Sequence, residues 1–157
     1  MTRYLVDTKV LSFAAPGRPD RAPHLVQWMI SHTDSLYLSV ITVAEIEQGI
    51  AKARRQGARR QAAQLTEWVE LAIALYARRL LPIDFEVARL AGVLSDLVRG
   101  KGHAPRFADA AIAATARVHD LTVLTRNLRH FEPLGVPVWD PFAHLPPDRH
   151  TAPATNC

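Results

Sequence analysis

Three acids and one amide stand where this chain could run a reaction. Asp7 directly follows the apolar run Tyr4-Leu5-Val6, and Glu45 lies one helical turn beyond Leu36-Tyr37-Leu38-Ser39-Val40. Asp109 interrupts Phe107-Ala108-Asp109-Ala110-Ala111-Ile112, and Asn127 follows Leu121-Thr122-Val123-Leu124-Thr125. An acid placed against buried apolar chain must be solvated, capped or liganded, because an unpaired buried carboxylate is costly. A helix N-terminus offsets only part of that cost at Asp109. If Asp7, Glu45 and Asp109 converge, their mutual repulsion requires either protons or a cation. The donors are hard oxygens, with no Cys nearby and no His at a ligand spacing. That set selects Mg²⁺, with Mn²⁺ as an option, over Zn²⁺. The chemistry it implies is metal-assisted attack of water on a phosphodiester.

Each acid also has a plainer reading. Asp7 could be a turn residue or a helix N-cap. Thr42-Val43-Ala44-Glu45 has the S/T-x-x-E spacing of a capping box, and taken alone that is the stronger reading of Glu45. Asp84, after Leu80-Leu81-Pro82-Ile83, sits where an N-cap belongs. Its strand carries a proline, which suits a sheet edge, so Asp84 is left outside the site.

The elements that must position these groups follow an alternation of short apolar runs with longer amphipathic stretches. That pattern predicts an α/β fold with a central parallel sheet. Strands are expected at Tyr4–Val6, Leu36–Val40, Leu80–Ile83, Leu121–Thr125 and Val136–Val138. Helices are expected from Val10, over 24–31, from Thr42, over about 59–78, over 86–99 and over about 106–119. Val43, Ile46 and Ile50 should share one buried face. Leu65, Trp68, Val69, Ala72, Leu75 and Tyr76 should form the buried stripe of the next helix. The alanine-rich helix from Arg106 can lie close against a sheet. In open parallel sheets functional groups gather beyond the C-terminal ends of the strands. Asp7, Glu45, Asp84 and Asn127 all fall on that edge, and so does the start of the helix that carries Asp109.

The chain has 157 residues, 48% hydrophobic and 22% charged, which suits one ordinary globular domain rather than a disordered or fibrous chain. Residues 1–142 read as that domain and 143–157, proline-rich and polar, as a frayed tail. The single cysteine, Cys157, makes no intramolecular disulfide and no thiolate cage, which suits the cytoplasm. No run approaches the ~18 apolar residues of a membrane span, and Asp7 comes too early for a signal peptide. Net charge is +4, with 16 Arg against 3 Lys. Arginine forks suit phosphate, although a GC-rich genome also favours Arg codons. Lys52, Arg54, Arg55, Arg59 and Arg60 cluster without an acid, either as a phosphate grip or as a solvated helix end.

Four segments resemble, in order, the motifs of PIN-domain ribonucleases, and VapC-type toxins of toxin–antitoxin pairs most of all. They are Tyr4 to Ser12, Leu38 to Ile50, Phe107 to Ala116, and Leu124 to Phe131, the last similar to T-x-N-x-x-D/H-F. The set spans residues 4 to about 142, and its order makes it more specific than any one motif. The resemblance implies a three-layer α/β/α fold with strand order 3-2-1-4-5. It implies an Mg²⁺-dependent endoribonuclease, usually a homodimer, with RNA as substrate and a small antitoxin protein as partner. Asp7, Glu45 and Asp109 would hold the metal, with Glu45 the candidate to take a water's proton. Asn127 would orient water, and Thr125 and Ser39 would supply hydroxyls near it.

Lys9 stands where that family usually has Asn. Its ammonium could pair with Asp7 and weaken Mg²⁺ binding, or point outward towards an RNA phosphate. It also supports an alternative, a PIN fold of weakened catalysis that only binds RNA or protein. Two other classes fit poorly. A phosphoaccepting receiver domain needs two adjacent acids after the first strand, where Asp7 is followed by Thr8. It also needs a Lys after the fifth strand, absent from Val138-Trp139-Asp140-Pro141. A haloacid-dehalogenase-type phosphatase needs a second Asp at the place of Lys9. The scattered histidines receive no chemical role.

Overall fold

The computed structural model describes residues 2–18 and 22–148. Five short strands, β1 (Tyr4–Val6), β2 (Leu36–Ser39), β3 (Leu80–Leu81), β4 (Thr122–Leu124) and β5 (Val138–Trp139), form one sheet. Its order is β3-β2-β1-β4-β5, with every neighbouring pair parallel. The order reverses between β1 and β4, which is where open α/β sheets place ligand crevices. The helices are α1 (Thr8–Ser12), α2 (Pro23–Ser31), α3 (Val40–Arg55), α4 (Arg59–Tyr76), α5 (Phe85–Gly100), α6 (Phe107–Val118) and α7 (Leu128–Phe131). None of them is long and apolar enough to cross a membrane among the described residues.

Strand side chains alternate between faces, so each strand feeds two cores. Tyr4, Val6, Leu36, Leu38 and Leu124 pack with Val10, Leu25, Trp28, Ile50 and Val69 on the face covered by α1 to α4. Leu5 and Val123 pack with Val87, Leu94, Ile112, Phe131 and Leu134 on the face covered by α5 to α7. In α6 every residue from Asp109 to Ala116 is buried. Small alanine side chains let this helix sit against the sheet while α5 covers its outer side. The one hydroxyl in that stretch, Thr115, is satisfied by donating to the Ala111 carbonyl at 2.8 Å.

Several local expectations are corrected. The second strand ends at Ser39, and Val40 already belongs to α3. Ser39, not Thr42, is the N-cap: its hydroxyl accepts from the Ile41 backbone N–H at 3.1 Å. With the helix starting earlier, Thr42 turns into the core and Glu45 has no capping duty. Val43 is only half-buried; the inward face of α3 is Thr42, Ile46, Ile50 and Ala53. In α4 the fully buried residues are Ala62, Val69 and Tyr76, a seam of period seven, while Leu75 is exposed. Leu65 and Trp68 are only partly buried against the core, so this peripheral helix buries a narrower stripe than its apolar content suggests. Asp84 caps α5 as expected, accepting from the Val87 N–H at 2.9 Å.

Of the expected tail, residues 149–157 lie outside the described residues. Before them the His144 carbonyl accepts from Trp139 Nε1 at 2.7 Å, and Asp148 approaches His32 at 3.1 Å.

Candidate active site

The register between β1 and β4 places the first pair of groups. Val6 lies opposite Leu124, the Asp7 N–H donates to the Leu124 carbonyl, and the Thr125 N–H donates to Trp139. Asp7 and Thr125 therefore leave adjacent strands together, and the buried Thr125 hydroxyl donates to Asp7 Oδ2 at 3.0 Å. Asp7 is also the N-cap of α1, accepting from the Thr8 N–H at Oδ1, 2.8 Å away. The expected cap and the expected site residue are thus the same carboxylate. The Asn127 N–H donates to the Thr125 hydroxyl at 3.0 Å, which ties the turn after β4 to Asp7. The Asn127 carboxamide is half-buried and makes no hydrogen bond among the described residues. Ser39, committed to its helix cap, is not among the groups that contact the acids.

Glu45 and Asp109 arrive from the helices. Thr8 Oγ1 donates to Glu45 Oε1 at 2.7 Å, so Thr8 bridges Asp7 and Glu45. Arg106 Nη2 donates to Glu45 Oε2 at 3.0 Å. Asp109, the third residue of α6, has its Oδ2 3.3 Å from His130 Nδ1. Thr8, Arg106 and His130 are contributors that residue-by-residue reading missed. For His130 a signal was present, because it fills the D/H place of the T-x-N-x-x-D/H-F spacing.

Charge links the three acids. Burial pushes the Asp7 carboxyl up to about 6; the bonds from Thr125 and Thr8 oppose this, and the negative Asp109 and Glu45 add to it. Asp109 is likewise raised, first by burial, with Arg106 and His130 pulling it down and Glu45 pushing it up. Asp7 feels both other acids as negative charge and Asp109 feels Glu45, a condition under which a cation gains. Among the described residues no three acid, His or Cys side chains stand close enough to enclose a bare ion. A cation shared by the three acids would have to keep much of its water, which is how Mg²⁺ usually meets carboxylates.

Two concave surfaces flank the acids. One, about 640 Å³, opens beside Asp109 between the loop before α6 and the start of the turn after α7. The other runs along α3 from Glu45 past Gln48 to Lys52 and Arg55. Of the basic cluster, Lys52 and Arg55 share this cleft with Glu45, whereas Arg54 turns to Thr66 on α4.

Lys9 is exposed and pairs with no acid among the described residues. Lys9→Asn is therefore expected to leave Mg²⁺ affinity within about twofold by calorimetry, since exposed charges are screened by water. A tightening of tenfold or more would show that the ammonium competes with the cation.

Residues 4–134 match the PIN domain family. Over 140 residues the chain is 37% identical to Toxin FitB of Neisseria gonorrhoeae, covering 88% of this chain and 97% of that protein. It is also 37% identical to VapC ribonuclease Y4jK of Sinorhizobium fredii over 139 residues, 88% of this chain and 96% of the relative. The crystal structure of FitAcB from Neisseria gonorrhoeae superposes with a TM-score of 0.76 at 35% identity, over 88% of this chain and 98% of that one. Ordered motifs, sheet order and sequence identity agree, and the chain belongs to the PIN domain family.

Proposed function

We propose that this protein is a divalent-metal-dependent endoribonuclease and the toxin of a toxin–antitoxin pair, acting in the cytoplasm. The observation that carries the reading is the meeting of Asp7 and Glu45 through Thr8 at the switch point of the sheet, with Asp109 near enough for its charge to raise the Asp7 carboxyl. The similarity to a VapC ribonuclease and to a FitB toxin supports the substrate class and the biological role.

Asp7, Glu45 and Asp109 would hold the cation, Mg²⁺ or Mn²⁺, which would supply Lewis acidity to the attacking water and the scissile phosphate. Thr125 and the Thr8 N–H keep both Asp7 oxygens fixed in one orientation. Glu45 is more exposed than Asp109, with side-chain exposure of 23% against 11%, and receives the proton of the attacking water. Arg106, which holds Glu45 in the free protein, is exposed and can turn to an incoming phosphate. Asn127, with a free carboxamide, orients water at the rim. Lys52 and Arg55 meet backbone phosphates along α3.

Two unpartnered apolar surfaces suit the partners of such a toxin. A groove between α2 and α4, with Ile30, Leu71 and Leu75 exposed along it, has the concave form that accepts an antitoxin helix. Phe85, Val93 and Leu97 form an exposed stripe on α5, suited to self-association with a second copy.

The decisive assay incubates the purified protein with a single-stranded RNA. Cleavage in Mg²⁺ or Mn²⁺, stopped by EDTA and restored by excess Mg²⁺, is the expected result. Intact RNA at every metal concentration would refute the reading.

A further inference from the structure

We propose that Arg106 is a counter-cation built into the chain, which keeps the acids' affinity for a divalent metal low until an RNA phosphate draws it away. This rests on the ribonuclease reading above and adds to it a residue through which substrate and metal favour each other.

In the free protein both oxygens of Glu45 are engaged. Thr8 Oγ1 donates to Oε1 at 2.7 Å, and Arg106 Nη2 donates to Oε2 at 3.0 Å. The same guanidinium acts on Asp109, where its charge is the largest influence opposing burial. Arg106 therefore serves two of the three acids from one position. A dication drawn to Glu45 and Asp109 meets that positive charge, and like charges at such range repel. The other basic groups nearby do not do this. His130 rests on Asp109 and not on Glu45, and Arg129 lines the cavity beside Asp109 but pairs with no acid among the described residues.

The contact is easily released. Arg106 stands at the N-cap position of α6, but its side chain makes no capping bond, so the helix does not depend on where that side chain points. Its side chain is 57% exposed, and only one nitrogen of its fork is engaged among the described residues. Exposed pairs of this kind are weak. A phosphate accepts two parallel bonds from one guanidinium, so it competes well against the single bond to Glu45. Arg106 lines the cavity beside Asp109, so a phosphate that meets it there lies next to the acids. Its departure frees Glu45 Oε2 as the substrate arrives. Such coupling is reciprocal: whatever RNA adds to metal affinity, the metal adds to RNA affinity.

The test measures the two ligands separately. Isothermal titration calorimetry follows Mn²⁺ binding at low salt, without RNA, to wild type, Arg106→Gln and Arg106→Lys. The neutral Arg106→Gln should bind Mn²⁺ about fivefold more tightly than wild type, and Arg106→Lys, which keeps the charge, within about twofold of wild type. Fluorescence anisotropy follows a fluorescein-labelled single-stranded octaribonucleotide in EDTA at the same low salt. There Arg106→Gln should bind RNA about threefold more weakly than wild type, through loss of one phosphate contact. The two affinities thus move in opposite directions, which a loss of structure would not produce. Far-UV circular dichroism should be unchanged, because the side chain is exposed. Mn²⁺ affinity in Arg106→Gln that is unchanged or weaker, or equal tightening in Arg106→Lys, would overturn the counter-cation. Unchanged RNA affinity, or no RNA binding by wild type in EDTA, would overturn phosphate as the releasing group. If wild type binds no Mn²⁺ and leaves RNA intact, the ribonuclease reading falls and this inference with it. Wild type that binds Mn²⁺ and cleaves RNA, beside an Arg106→Gln variant of unchanged Mn²⁺ affinity, removes this inference alone.

Discussion

Asp7→Asn and Asp109→Asn should each abolish RNA cleavage while leaving the fold intact. Asn is nearly isosteric with Asp, so the packing of the strand end and of α6 survives. Charge is what changes. Loss of a group that merely orients a metal ligand reduces affinity or activity by ~10–100-fold, and loss of a ligand itself exceeds that range. Asp7 lies at the junction of β1 and α1, and Asp109 in the first turn of a buried helix, so no neighbouring carboxylate can swing in as a substitute. Turnover of a labelled RNA should fall below detection in both variants, with far-UV circular dichroism unchanged. Wild-type turnover in either would end the mechanism. His130→Asn serves as the comparison: it removes the imidazole against Asp109 but leaves the acids, and its loss of activity should stay within the ~10–100-fold range.

In the absence of metal, the same Asp7→Asn change should stabilise the protein at neutral pH by about 1–3 kcal/mol. The Asp7 carboxyl is raised from 3.8 to about 6 on folding, chiefly by burial. Between those two values the folded state holds a proton that the unfolded chain has released. Stability therefore falls as pH rises through that window, and above it the ionised carboxylate opposes folding. A displacement of about two pH units corresponds to roughly 3 kcal/mol. Asn removes that opposition but fits the Thr125 hydroxyl less well, because the carboxamide nitrogen donates where Oδ2 accepted, which sets the lower end. In EDTA at pH 7.5 the variant should melt about 3–10 °C above wild type, and the gap should close towards pH 4. Saturating Mg²⁺ should raise the wild-type midpoint and not that of Asp7→Asn, since a ligand stabilises only the state that binds it. A variant that melts below wild type in EDTA at pH 7.5 would show that the buried charge is not the dominant strain at this site.

The two expectations share one cause. Burial of the Asp7 and Asp109 carboxyls, with repulsion among the acids adding to it, makes the metal-free protein less stable than its fold allows. A divalent cation would stabilise the ionised acids, so the instability of the empty site and its affinity for metal are linked. The hydrogen bonds from Thr8 and Thr125 limit the instability without neutralising the charge.

The order of strands and helices and the two-sided cores were legible in the chain. Tyr4-Leu5-Val6 is apolar throughout, as a strand covered on both faces must be, and the acids at strand ends mark one edge of the sheet. The caps at Asp7 and Asp84 were legible too, because a cap depends on a residue and the next three positions only. Where local signals competed, the chain was ambiguous. Both Ser39 and Thr42 have capping chemistry, and the burial of Thr42, set by packing under the sheet, decides for Ser39. Apolar content alone made α4 seem broadly buried, but whether a leucine such as Leu75 is covered depends on how many neighbours the helix has.

By itself, then, the sequence determined the parallel α/β architecture, the edge of the sheet on which Asp7, Glu45 and Asp109 had to appear, and the caps at Asp7 and Asp84. Only the tertiary structure decided that Thr8 would bridge Asp7 and Glu45, that Arg106 would reach Glu45 across 61 residues of chain, that His130 would rest on Asp109, and that a cavity would open beside them. The reason is range. Periodicity and capping act over one helical turn or a few strand positions. The meeting of side chains from α1, α3, α6 and α7 depends on the register of β1 against β4 and on how far each helix is rotated on the sheet, and those are set by packing among residues distant in the chain.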